Sequence, residues 1–136
     1  MYSNIPDYFI ALMKQKAGLL NDQQTARVVR AISQALNTSL TPAQANKFFA
    51  ATPAYLRPSK QSFFTSIGNW QKPVSNKSVF EQLLARLQLT DPHEAEVLLG
   101  AYFGAIRTIV AREVDLKISL VLPKDLGRFY VQAPRG

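Results

Sequence analysis

Val114-Asp115-Leu116-Lys117-Ile118-Ser119-Leu120-Val121-Leu122 carries two periodicities at once. Val114, Leu116, Ile118, Leu120 and Leu122 alternate with period two, as a half-buried strand would. Val114, Ile118, Val121 and Leu122 also satisfy a helical stripe. Read as a strand, the segment pairs with Leu126-Gly127-Arg128-Phe129-Tyr130-Val131 across a turn at Pro123 to Leu126, and the fold becomes α+β with a C-terminal β-hairpin over residues 114–131. Read as a helix, it leaves the chain mainly α. The comparable stretch of the first half, Ala43 to Ala51, lacks the alternation and reads as helix, so helix is preferred here too. The expected fold is mainly α, with two pseudo-repeated helical hairpin halves sharing one core.

The halves emerge from the rest of the chain. Ile5, Phe9, Leu12 and Met13 recur at helical spacing, predicting an amphipathic helix from about Pro6 to Ala17 that ends near Gly18. Asn21 and Asp22 offer side-chain caps for the next helix, along which Ala26, Val29, Ile32, Leu36 and Leu40 form one apolar stripe. Thr41-Pro42-Ala43-Gln44 has the pattern of a capping box with proline in the first turn, opening a short helix through Phe48 and Phe49 that Thr52-Pro53 ends. From Ala54 to Trp70 the signal is mixed, and Lys72-Pro73-Val74-Ser75-Asn76 is the clearest connector.

Beyond it the same programme restarts. Phe80, Leu83, Leu84 and Leu87 mark a helix capped by Ser75 or Asn76, with Phe80 in the place of Phe9. Asp91-Pro92-His93-Glu94 supplies an Asp cap, a first-turn proline and a Glu three residues after the cap. Leu98, Tyr102, Ala105 and Ile109 follow on one face. Pro53-Ala54-Tyr55-Leu56 and Pro123-Lys124-Asp125-Leu126 complete the correspondence. The reading is a basic helical half over residues 1–72 and a second helical half over 73–136, each unable to bury its apolar face alone and so packed into one compact domain.

The 136 residues, 47% hydrophobic and 18% charged, are too apolar for intrinsic disorder. No apolar run is long enough to span a bilayer, because Arg107 interrupts the best candidate, Val97 to Ala111. The first residues lack the basic and apolar regions of a secretory signal, so a soluble, cytoplasmic protein is expected. The absence of cysteine excludes disulfides and thiolate zinc sites.

Charge divides the chain unevenly. Of 16 Lys and Arg against 9 Asp and Glu, the residues before Pro73 hold Lys14, Lys16, Arg27, Arg30, Lys47, Arg57, Lys60 and Lys72 but only Asp7 and Asp22 as acids. After Pro73 the two signs nearly balance. A positive field of this kind attracts phosphate backbones through counterion release and steering. Arg27 and Arg30, three residues apart opposite the apolar stripe of their helix, are the first candidates for an anion contact, joined by Lys14, Lys16, Lys47, Arg57 and Lys60. Aromatic rings sit beside several of these bases: Phe48 and Phe49 by Lys47, Tyr55 by Arg57, Phe63 and Phe64 after Lys60, Trp70 before Lys72. Most fall on apolar stripes and read as core, with Tyr55 and Trp70 the ones expected at the surface.

Catalytic patterns are weak. His93, the sole histidine, sits in a capping turn beside Glu94 and Glu96 with no second group to position it as a base. His93 and Glu96 are neighbours on a helix but supply two metal ligands at most. Gly100-Ala101-Tyr102-Phe103-Gly104 has small-xxx-small spacing, read here as close packing rather than membrane dimerisation. No phosphate loop is present, and no serine has an activating base. No catalytic residue, metal or cofactor is assigned, and the protein is read as no enzyme.

Two resemblances add to this. Leu40-Thr41-Pro42-Ala43-Gln44-Ala45, Thr52-Pro53-Ala54-Tyr55-Leu56-Arg57, Phe63-Phe64, Trp70 and Val121-Leu122-Pro123-Lys124-Asp125-Leu126 together resemble the bacterial domain of unknown function 2267 family. The likeness covers nearly the whole chain and implies an all-helical, two-copy fold without assigning an activity. Asn76-Lys77-Ser78, Leu89-Thr90, Ala101-Tyr102-Phe103 and Leu126 to Val131 resemble the histone-like HU and integration host factor family over Asn76 to Gly136. That likeness implies a dimeric DNA binder whose helical hairpin leads into a sheet and a basic β-arm for the minor groove. Val131 to Gly136 stops where the arm would begin, which puts DNA bending in doubt but leaves Arg128 and Arg135 as phosphate contacts. The expected function is non-catalytic binding of nucleic acid, DNA first, through a basic face of the first half. The alternative is a helical protein-interaction or scaffold module that receives a partner helix in an apolar groove between the halves. A homodimer is compatible with either.

Overall fold

Residues 5–58 and 78–134 are described by the computed structural model. Helix α1 (Asp7–Ala17) ends as its sequence predicts, on Gly18 in the left-handed region at φ 67°, with the Gly18 N–H bonded to the Lys14 carbonyl. That conformation satisfies a carbonyl the last turn would leave orphaned, and glycine adopts it without a Cβ clash. The Asn21 side chain accepts from the Gln24 N–H at 2.8 Å and starts α2 (Asp22–Ser39). Its predicted stripe of Ala26, Val29, Ile32 and Leu36 is buried, as is Leu40 just beyond. Thr41 and Gln44 close the expected capping box, and Pro42 is the first residue of α3 (Pro42–Ala51). A 3-10 turn, Ala54–Leu56, follows.

The second half comprises α4 (Val79–Arg86), α5 (Pro92–Ile109), α6 (Arg112–Val121) and α7 (Lys124–Gln132). Two caps differ from expectation. Ser78 caps α4 in a box with Glu81, whereas Ser75 and Asn76 lie outside the described residues. At Asp91 no capping box forms: the carboxylate accepts from the His93 N–H at 2.9 Å, two residues on. The Glu94 N–H, which a box would use, bonds the Asp91 carbonyl at 3.0 Å instead, and the carboxylate takes the His93 N–H.

The ambiguous segment is helical, forming α6, and its intended partner Leu126 to Val131 lies within α7. The hairpin over 114–131 is therefore overturned, and the sheet that the HU likeness implies at Gly127-Arg128-Phe129 is not formed. Ile118 and Leu122 are buried and Val114 and Val121 half-buried, but Leu116 and Leu120 are 62% and 76% exposed. The period-two pattern was the sum of a core stripe and an outward pair. With both segments helical, the backbone donors beyond each first turn find their acceptors within the helix, which a lone strand would not offer.

The helix plan recurs. α2 and α5 have 18 residues each, and α3 and α6 have 10 each. α2 begins at position 22 and α5 at 92, α3 at 42 and α6 at 112, so both pairs stand 70 residues apart. In that register Gln88, left-handed at φ 56°, matches Gly18, and Phe80 matches Ile10 rather than Phe9. The packing is reciprocal: α1 lies on α5, α4 lies on α2, and α3 lies on its own counterpart α6. Such an exchange is the contact pattern of a two-fold interface, realised here within one chain. Separated from its partner, either half would expose side chains now fully buried, such as Phe9, Leu36, Leu83 and Tyr102, each worth roughly 1.5–3 kcal/mol when covered. Polar ties cross the same boundary: the Ser33 and Tyr102 hydroxyls share a hydrogen bond at 2.8 Å, and Thr38 donates to Gln82.

Candidate nucleic-acid interface

Opposite its apolar stripe, α2 presents Arg27 and Arg30, both exposed, one turn apart. Arg30 lines a cleft of about 190 Å³ together with Ser33, Gln34, Tyr55 and Arg57. Arg57 is brought there by the 3-10 turn, which folds the chain back towards α2, and is held by its Nε donating to the Phe49 carbonyl at 3.2 Å. Arg86 arrives from α4, whose packing on α2 lets its Nη1 donate to the Gln34 side-chain oxygen at 3.2 Å. Guanidinium groups from three separate elements thus gather along the outer face of one helix. Among the described residues no acid lines the Arg30 and Arg57 cleft.

Arg27 lines a neighbouring cleft of about 370 Å³ walled by the α1–α2 and α4–α5 turns, with Leu19, Leu89, His93 and Glu94. Arg27, His93 and Glu94 are its ionisable residues, and the acids of the first half, Asp7 and Asp22, do not line it. Among the described residues no group of three or more His, Asp and Glu gathers as a metal site would require.

The remaining candidates lie elsewhere. Lys14 is paired with Asp22 at 2.7 Å. Lys16 lays its stem against Gly104 and points its Nζ at the Pro134 carbonyl, 3.4 Å away. Lys47 lines a groove between α3 and α6 that shares no lining residue with the other two clefts. Arg128 is exposed on α7. Lys60 and Arg135, with Phe63, Phe64 and Trp70, lie outside the described residues. Of the nine sequence-derived bases, Arg30 and Arg57 share a cleft and Arg27 stands one turn from Arg30 on α2; Arg86, which no local pattern signals, reaches the same helix at Gln34.

The rings beside the bases are mostly core. Phe48 and Phe49 are buried, and Tyr55 is half-buried, edge-on to Phe9 with centroids 5.6 Å apart. Its hydroxyl donates to that of Tyr8 at 3.3 Å; burial, and then this bond, raise the Tyr55 phenol above its ordinary range. Tyr8, not Tyr55, is the exposed ring, at 57%.

Gly100 and Gly104 serve packing. Gly100 faces the Phe129 ring, and a Cβ on Gly104 would come within 2.8 Å of the Pro134 carbonyl. Among the described residues no helix is long and apolar enough to cross a membrane. Compared with family models, curated proteins and solved structures, the chain gives no match. The likenesses quoted above rest on their residues alone, and the functional reading rests on geometry.

Proposed function

We propose that the protein is a non-catalytic, cytoplasmic nucleic-acid-binding protein, built from one helical unit used twice, that grips DNA phosphates through Arg27, Arg30, Arg57 and Arg86. The observation that carries this is the cleft that Arg30 and Arg57 share, lined by no acid among the described residues, with Arg86 bonded to its wall at Gln34. Guanidinium groups fit phosphate oxygens in a two-pronged geometry that ammonium groups lack. Contacts of this type position a backbone and carry no base readout, so binding is independent of sequence. The interface is narrower than the charge count implies, because Lys14 has an intramolecular anion and Lys47 faces another groove.

Four phosphate contacts predict a log–log salt slope of about −3.6, and so roughly a hundredfold weaker binding to duplex at 200 mM than at 50 mM salt. Fluorescence anisotropy with a labelled 20-base-pair duplex measures this. Arg30→Gln with Arg57→Gln should flatten the slope by about two, while Lys47→Gln leaves it unchanged. Absence of binding at 50 mM salt, or equal weakening by Lys47→Gln, would sink the proposal.

A further inference from the structure

Leu116 and Leu120 stand four residues apart on α6 and are exposed, while Ile118 supplies the same helix with its buried contact. The outward pair therefore does nothing for the core. Beside it, α3 and α6 enclose a groove of about 730 Å³, floored by Ala50, Val114 and Val121 and edged by Leu120. Among the described residues its only charged lining groups are Lys47 on α3 and Lys117 on α6. The two lysines occupy the same place in the 70-residue register, so each half contributes one cation, and neither is ion-paired among the described residues.

We infer that this groove docks an acidic amphipathic helix of a partner protein. A trough between two helices accepts a third whose apolar residues recur at i, i+3, i+4 and i+7. With a cation on either helix, the complementary ligand carries carboxylates on both sides of its apolar stripe. A second copy of this chain fits poorly, because a two-fold pairing of the grooves sets Lys47 and Lys117 against the same lysines. The site is separate from the arginine strip and does not depend on it.

Two labelled 18-residue peptides test this on the full chain: a leucine stripe flanked by glutamates, and the same stripe flanked by lysines. The acidic peptide should bind at least tenfold more tightly in an anisotropy titration. Leu120→Gln, at an exposed position with no core contact to lose, should weaken it tenfold or more. Lys47→Glu combined with Lys117→Glu should reverse the preference, and Leu20→Gln, at the exposed turn between α1 and α2, should change nothing. No binding, equal binding of the two peptides, or an equal loss with Leu20→Gln overturns the inference. So does a wild-type dimer in sedimentation that Leu120→Gln dissociates, since a second copy would then be the occupant.

Discussion

Position 45 in α3 buries an alanine, and the matching position of α6, 70 residues on, buries Asp115. The carboxylate is not left alone. Arg107 donates to it through Nε at 3.2 Å and Nη2 at 3.2 Å, and the Tyr130 hydroxyl donates at 2.7 Å. The other end of the guanidinium donates to the carbonyls of Val131 at 2.6 Å and Ala133 at 2.7 Å, at the end of α7. Arg107 is thus an internal clamp that fastens the last helix, whereas Arg27 and Arg30 of α2 are exposed. One helical plan is closed by apolar contact in one half and by an enclosed ion pair in the other. A cation counted in the sequence is available to a partner only where the fold has not already given it an anion.

The largest expected effect breaks that clamp. Asp115→Ala leaves Arg107 nearly enclosed without its counter-charge and should lower the unfolding free energy by about 3–5 kcal/mol in urea titration. A loss under about 1 kcal/mol would mean the pair is not what closes the second half. The next effect tests the helices themselves. α3 has a Thr41 capping box, while Ala111 gives α6 no side-chain cap. Thr41→Ala should cost about 1 kcal/mol, and Ala111→Ser should add a similar amount, read as opposite shifts of the urea midpoint at constant slope. The smallest effect concerns the paired turns. Gly18 and Gln88 share the left-handed conformation, but only glycine adopts it freely. Gln88→Gly should stabilise by about 0.5 kcal/mol and Gly18→Gln should destabilise by about 1 kcal/mol. The space around Gly18 is open, so the change there is one of backbone conformation. Equal responses at the two turns would show that the correspondence does not extend to them.

Short-range chemistry was readable. The Gly18 stop, the Asn21 cap and the Thr41-Pro42-Gln44 start each involve groups within a few residues, so their spacing is their geometry. Asp91 was half-readable: the cap is real, but its carboxylate takes the His93 N–H while the Glu94 N–H bonds the Asp91 carbonyl. Leu116 and Leu120 misled in a more instructive way, since exposed leucines at helical spacing imitate a strand when a core stripe runs between them. Of the cations that the two proposed sites use, the sequence singled out Arg27, Arg30, Arg57 and Lys47 but not Arg86 and Lys117. The latter two matter only because α4 lies on α2 and α6 lies on α3.

The linear chain alone determined that most of this protein is helical, where α1, α2, α3 and α5 begin, and that its leading half carries the positive charge, because propensity, capping and composition act between near neighbours. Which charges meet, which are cancelled and which apolar residues stay outside was decided by tertiary packing. Coulombic and apolar contacts depend on distance in space, and the packing of α1 on α5 and α4 on α2 sets distances that separation along the chain does not encode.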